Sequence, residues 1–570
     1  MEIVGILISL LVMFVQLGIV VGVVFFVIKA TRRGEGDEHD IAGAIRRFFV
    51  YGFLLVSLVL FAEGVRGILV ALIVRPSAFA GSETQVASAV SLLVVGGLVW
   101  GGLWRYVRPR LVAEDAERRS LAWMLYLNAS LVVSAVIVTV AATTALRGLM
   151  TREGFDGEMW AALVVWAAVW VFHQRIWLND RLAPEVLPIL PALVGSLVGL
   201  AAGSSGLFLI LKQVYESVYD LIAGVTFVAG DPWDAVATGS ALLVVGGVGW
   251  GYHWFRRGAR HGERSPVWFG YVLLFPVLGS VVVILAVGSA VLFDALVWFF
   301  GSTIPSASEH FAKMPWEMAL VTVAATIWTY HRRVLAEHRQ VRTEPDRIYD
   351  YLLAGAGLVA VGAGIAILLL ALFDLVAPPL AGAEAANTLI GAITALVVGG
   401  PVWWMHWVRA ERHGDETAEL RSVTRRIYIF GVLGVAAIAV FVGLIVVLQG
   451  LLVLVLSRQG SFGSFKGALA ALLAGGAIGA YHVQVWRTDR TRFVPAQRAA
   501  PPKDVVLVAP EAGELAPSVA EATGARVRPM TTAEGVAPDV DAVVDAIETA
   551  EASKLVVVAI GDRIEVVALR

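Results

Sequence analysis

The stretch Val397-Val398-Gly399-Gly400-Pro401-Val402-Trp403-Trp404-Met405-His406-Trp407-Val408-Arg409 places two small residues four and three positions before Trp403, and His406 three positions after it. On an α-helix these positions share one face. The template, small-small-x-x-Trp-x-x-His followed by a basic loop, returns at Gly96-Gly97 with Trp100, at Gly246-Gly247 with Trp250 and His253, at Ala324-Ala325 with Trp328 and His331, and at Gly475-Gly476 with His482. A weaker copy runs from Trp166-Ala167 to Trp170 and His173. Leu103 replaces the histidine of the first copy, and Gly479 the tryptophan of the last. Such recurrence marks an array of repeats, each ended by this unit.

Composition sets the solvent. Of 570 residues, 58% are hydrophobic and only 16% charged, against about 25% charged in soluble domains. The chain therefore reads as an integral membrane protein. It has no cysteine, which excludes disulfides, thiolate catalysis, cysteine-ligated zinc and iron–sulfur clusters. The first apolar run, Ile3 to Ile28, follows Glu2 and precedes Lys29, Arg32 and Arg33. A signal peptide wants a positive start and a shorter apolar stretch, so this run reads as a retained first span.

With about 20 apolar residues per crossing, thirteen spans are expected, near 3–28, 48–74, 84–106, 120–149, 157–178, 187–211, 233–255, 267–300, 314–332, 348–376, 387–408, 427–457 and 464–486. The loops after the odd-numbered spans, up to the eleventh, hold twenty-six Lys and Arg, and the opposite loops only seven. By the positive-inside rule, the N-terminus lies outside and the C-terminus in the cytoplasm of a bacterial plasma membrane.

Setting aside residues 1–43, a first helix and basic loop, leaves six helix pairs at 44–110, 117–178, 186–258, 264–335, 345–411 and 421–490. Each opens at a basic edge, often with an aromatic close behind, as in Tyr51, Tyr126, Tyr349 and Tyr428. A two-span unit crosses an even number of times, so all six copies point the same way. The inverted repeats of many transporters need the opposite. The expected fold is an all-α polytopic membrane protein, one N-terminal span plus six parallel two-helix repeats. Residues 491–503, with Pro495, Pro501 and Pro502, suit a linker. Residues 504–570 read as a small cytoplasmic α/β domain, with strands over 505–509, 526–529, 554–560 and 563–569 and helices over 514–523 and 539–551.

In the template, the small pair allows a neighbouring backbone to approach closely, the tryptophan fills the next gap, and the histidine reaches the cytoplasmic interface as an anchor. Trp100, Trp170, His173, Trp250, His253, Trp328, His331, Trp403, His406 and His482 form this packing face. The competing role for the histidines is ligation of a haem or pigment metal. A second recurrent polar position falls toward the outer end of the first helices, at Arg66, Arg147, Asp220, Asp294, Asp374 and Gln449. These residues are candidates for inter-repeat ion pairs in a closed ring or for a lined pathway. Glu63 and Arg66, three apart, suit a local salt bridge.

No HExxH, phosphate loop, nucleophile elbow or paired-carboxylate motif appears, so no catalytic residue or metal site is assigned. The basic loops are the positive-inside signature before they are a nucleic-acid surface. The unit of long helix, outer loop and Gly-Gly-x-x-Trp-x-x-His-Trp helix resembles the two-helix repeats of a bacterial membrane family known as domain of unknown function 5671. The resemblance is nearest over Arg347–Arg409 and Arg426–Arg487, and it implies no activity. Ordered repetition with few buried polar groups favours a non-enzymatic membrane scaffold or assembly component. It would work in the lipid bilayer with structural lipids and without a cofactor. A membrane or cytoplasmic protein, or a second copy, would be its partner, with the C-terminal domain as docking module. A transporter or channel is the alternative, and a haem- or pigment-binding electron-transfer subunit a third class.

Overall fold

Wherever a chain meets hydrocarbon it must satisfy its backbone N–H and C=O groups internally, and a helix does so within one segment. The structure, a computed structural model, describes residues 38–73, 82–224, 232–260, 265–302, 306–336, 344–377, 385–412, 419–420, 422–457, 461–492, 503–532, 535–550, 552–561 and 563–569. The expected span at 3–28 lies outside these residues.

The long helices are α1 (Glu38–Ile73), α2 (Ser82–Ala113), α3 (Leu121–Thr151), α4 (Gly157–Trp177), α5 (Leu190–Ala223), α6 (Pro232–Gly251), α7 (Pro266–Phe300), α8 (Met314–Ala336), α9 (Glu344–Val376), α10 (Ala385–Arg412), α11 (Val423–Ser457) and α12 (Lys466–Arg492). Eleven helices among the described residues are long and apolar enough to cross a membrane. The exception is α8, which carries Glu317 near its start and Arg332 and Arg333 near its end. The chain is thus a multi-pass helical membrane protein. Local chemistry sets several helix starts: Ser120 accepts from the Trp123 N–H, and Asp156 from those of Glu158 and Met159.

Two helices depart from α geometry. A π turn, Tyr252–Arg256, continues α6, and a second lies inside α7 at Leu273–Leu278. Pro276 sits in the latter, where its missing N–H removes one α-type bond.

Helices adjacent in sequence pack as antiparallel hairpins. In α1/α2, Gly64 abuts the Leu93 backbone and Gly96 that of Phe61, so numbers fall on one helix as they rise on the other. The same holds for Gly199 against Trp250 and Gly206 against Leu243 in α5/α6, for Gly357 against Trp403 in α9/α10, and for Gly443 against Leu472 and Gly450 against Phe465 in α11/α12. The pairs α3/α4 and α7/α8 also pack together.

Each hairpin then packs on the next. Helix α1 lies against α3 and α4, α3 against α5 and α6, α5 against α8, α7 against α9 and α10, and α9 against α11. Polar ties follow the same order. Arg46 and Arg47 reach Glu117, and Trp166 Nε1 donates to Glu63 at 3.0 Å. Arg147 pairs with Asp234 at 2.6 Å, and Tyr215 bonds Thr322 at 3.1 Å. Asn387 Nδ2 donates to the Ser302 carbonyl at 3.1 Å, and Lys466 pairs with Asp374 at 2.5 Å.

Among the described residues the chain divides into this helical unit, up to residue 412 and over 422–483, and a second unit of residues 419–420 and those from 484 on. The second contains β1 (Asp504–Ala509), α13 (Ala512–Thr523), β2 (Arg526–Thr531), α14 (Val540–Thr549), β3 (Lys554–Ile560) and β4 (Arg563–Ala568). The sheet runs β2-β1-β3-β4, with β1 parallel to β2 and β3, and β4 antiparallel to β3. Alternation puts Val505, Leu507, Leu555 and Val557 in one core with Val519, Val543 and Ile547 of the two helices. These elements match the pattern read from the sequence. Asp539 stands at the N-cap of α14 without a side-chain bond to it.

Candidate functional site

The two small residues of the template have different jobs. A Cβ on Gly96 would strike the backbone of Phe61, one on Gly246 that of Gly203, and one on Gly399 the Ala360 side chain and the Gly357 carbonyl. The next residues, Gly247 and Gly400, have nothing within 4 Å of a Cβ. In these two pairs only the first member sits in the hairpin seam, whereas a Cβ on Gly97 would also meet the Phe61 ring, at 3.1 Å.

The tryptophan faces onward to the next hairpin. Trp100 is 5.6 Å from Phe172, Trp170 is 6.1 Å from His253, Trp250 is 5.5 Å from Tyr330 and 6.4 Å from His331, and Trp403 is 6.2 Å from Tyr481. One turn on, a second aromatic strengthens the joint. Trp254 Nε1 donates to the Tyr330 hydroxyl at 2.7 Å, and Trp407 Nε1 to that of Tyr481 at 2.6 Å. From the first helix of the next hairpin a tyrosine enters the same cluster. Tyr126 packs 5.6 Å from His173, Tyr349 5.5 Å from His406 and Tyr428 5.8 Å from His482, while Tyr271 lies 6.2 Å from Trp254. Trp328 joins the cluster that holds Tyr349, under the Arg332 guanidinium.

The histidines are not the exposed anchors expected at the water line. His173, His253, His331 and His482 are buried, and His406 is at most 9% exposed. The aromatic joints enclose them because each ring points between hairpins. His173 Nδ1 lies 2.8 Å from the Val169 carbonyl, His331 Nδ1 2.8 Å from that of Ile327, and His482 Nδ1 2.9 Å from that of Ile478. A carbonyl only accepts, so Nδ1 carries the proton and Nε2 is left as an acceptor. At His173 the Tyr126 hydroxyl donates to that nitrogen at 3.0 Å. His331 Nε2 and His482 Nε2 are buried without a protein partner. Among the described residues no group of three or more His, Asp or Glu is arranged to hold a metal ion.

His406 differs. Its Nδ1 bonds Asp350 at 2.9 Å, and Arg409 reaches the same carboxylate oxygen at 3.2 Å. Asp350 is 4% exposed. It follows Tyr349 in α9, at the step where Leu127 follows Tyr126, Val272 follows Tyr271 and Ile429 follows Tyr428, all three buried. A carboxylate in a slot that is apolar elsewhere accounts for the changed histidine bond.

The outer polar set does not come together as a ring of its own members. Arg66 pairs with Glu63 in the same helix at 2.7 Å, as the spacing suggested. Arg147 pairs with Asp234 and Glu153, and Asp374 with Lys466, none of whose partners was singled out in the sequence. Asp220 and Asp294 are half-buried, and the Asp294 main-chain carbonyl receives His310 Nε2 at 2.8 Å. Gln449 is exposed on α11.

At the basic edge ahead of α9's apolar segment, Glu344 joins two hairpins. Its carboxylate accepts from Ser422 at 2.8 Å, Thr424 at 2.6 Å and Arg347 at 2.9 Å. Burial works against the charged form, but the three hydrogen bonds outweigh it and hold the carboxyl below its ordinary range.

Several participants were invisible to the template: the tryptophans one turn past it, Glu117, Asp350 and Gln174. The spacing Trp-x-x-x-Trp in three copies was the available signal for the first. The others are single substitutions whose meaning appears only beside their neighbours.

Fold and joints define a multi-pass membrane protein of helical hairpins, each locked to the next by an aromatic–histidine cluster. Residues 47–156 and 347–481 match the family model described as domain of unknown function (DUF5671), two separate regions of similarity. The second region takes in nearly all of the last two hairpins, whereas the first stops before α4. No curated protein and no solved structure matches the chain.

Proposed function

We propose that the protein is a non-enzymatic scaffold or assembly component of a bacterial plasma membrane complex. In this reading it has thirteen spans, one plus six parallel two-helix repeats, with the N-terminus outside and the C-terminal domain as a cytoplasmic docking module. The orientation rests on the segregation of Lys and Arg between alternate loops.

The observation that carries the scaffold reading is the use of the template. Its tryptophans and histidines pack inside hairpin joints, ring against ring with the aromatic and histidine side chains of neighbouring helices. Such joints make a stiff array whose lipid faces and tail remain for partners. Solubilisation in mild detergent tests this, because a scaffold retains a companion or a second copy in fixed ratio, whereas a reproducibly lone chain contradicts it.

A transport role is the second reading, favoured by two buried carboxylates with polar partners, Asp350 bonded to His406 and Asp374 paired with Lys466. A flux left unchanged by Asp374→Asn would remove its support.

A further inference from the structure

The joint between the second and third hairpins is built from different residues than its counterparts. One turn past the template tryptophan, Trp254 and Trp407 lie 5.4 and 5.6 Å from the next hairpin's histidine. Each also donates its indole N–H to the tyrosine that precedes that histidine. The same position in the second hairpin is Gln174. The spacing confirms the equivalence: Trp170 lies 6.1 Å from His253, as Trp250 lies 6.4 Å from His331. Gln174 therefore stands at the position an indole takes in those joints, with a shorter and polar side chain. Tyr252, the counterpart of Tyr330 and Tyr481, already accepts from Arg257 Nε at 2.7 Å.

Three polar atoms are buried here without a protein partner: Gln174 Oε1, Gln174 Nε2 and His253 Nδ1. Both residues are only 4% exposed. His253 lacks the carbonyl bond of His173, His331 and His482 because Tyr252–Arg256 is a π turn, which shifts the backbone under it. Gly195 on α5 makes room for the imidazole, since a Cβ there would strike the ring. Native proteins rarely leave a buried amide with neither donor nor acceptor engaged, and π turns concentrate at functional sites.

We propose that this slot binds a small neutral hydroxyl-bearing guest, water or the hydroxyl of an alcohol or lipid headgroup, between Gln174 and His253. The donor set selects that chemistry. The amide presents a donor and an acceptor side by side, and a hydroxyl, itself both acceptor and donor, satisfies the two at once. One hydroxyl oxygen accepts from Gln174 Nε2 while its proton goes to Oε1, and His253 Nδ1 supplies a third bond. Three partners are what a buried water typically finds.

The test uses the full-length protein in detergent, comparing the wild type with Gln174→Leu and Gln174→Trp by thermal unfolding, native mass spectrometry and an experimental density map. With a guest present, Gln174→Leu breaks its bonds and lowers Tm by roughly 1–3 °C. Gln174→Trp fills the slot, expels the guest and keeps Tm near the wild-type value. A retained alcohol or lipid mass that the Trp variant loses identifies that source, and a single-oxygen density without added mass identifies water. If no density separates Gln174 from His253 and Gln174→Leu raises Tm, the slot is an unfilled packing defect and the proposal fails. Were the Trp variant not to fold, the map and the Leu variant decide alone.

Discussion

Gly246 and Gly247 are neighbours of the same residue type, yet they should answer to alanine with opposite signs. A methyl on Gly246 meets the backbone of Gly203 and the Gly199 carbonyl, neither of which can turn aside, so α5 and α6 must separate. Forcing extra atoms into a packed seam costs typically about 1–3 kcal/mol. The gain in helix propensity, about 1 kcal/mol for Gly to Ala, offsets part of that. At Gly247 a methyl meets nothing within 4 Å, so only the gain remains. The two variants should differ by about 2 kcal/mol in total, with Gly246→Ala the less stable. Thermal unfolding of the purified protein, followed by intrinsic tryptophan fluorescence, measures the difference. Indistinguishable melting curves would refute the seam assignment, and with it the register of this hairpin.

Three other perturbations probe the joints. Tyr126→Phe removes the donor to His173 Nε2 and leaves a buried acceptor unpaired, for a loss of about 1–3 kcal/mol in the same assay. Trp407→Phe, which loses the 2.6 Å bond to Tyr481, should destabilise more than Trp404→Phe, since Trp404 is exposed. Glu344, whose folded value is depressed, contributes stability above its unfolded value that is lost as pH falls through the folded one. Acid should therefore loosen the tie between α9 and α11, and Glu344→Gln should flatten that part of the pH–stability curve. An unchanged curve would show that the carboxylate's bonds to Ser422 and Thr424 contribute nothing.

Long apolar runs, the hairpin order and the strands of the tail were legible because each depends on local periodicity. The close approach at the small pair was legible too, but not which member makes it. Gly399 and Gly400 are equivalent in sequence, and only the rotation of α10 against α9 separates them. Burial of the histidines was misread because a polar residue near a helix end reads as reaching for water. Here Tyr126 of the same hairpin, or Trp254 or Trp407 of the preceding one, stands in the way. Asp350 and Gln174 carry no motif. Their importance lies in what occupies the same slot one repeat away, a comparison that needs the phase of both helices.

The scaffold reading meets its most direct test in the mass and composition of the intact protein, extracted from its own membrane in mild detergent. A single reproducible assembly, holding either a second copy or the same companion in fixed ratio, is the predicted result. A monodisperse lone chain, obtained across several detergents and with its lipids retained, would contradict it.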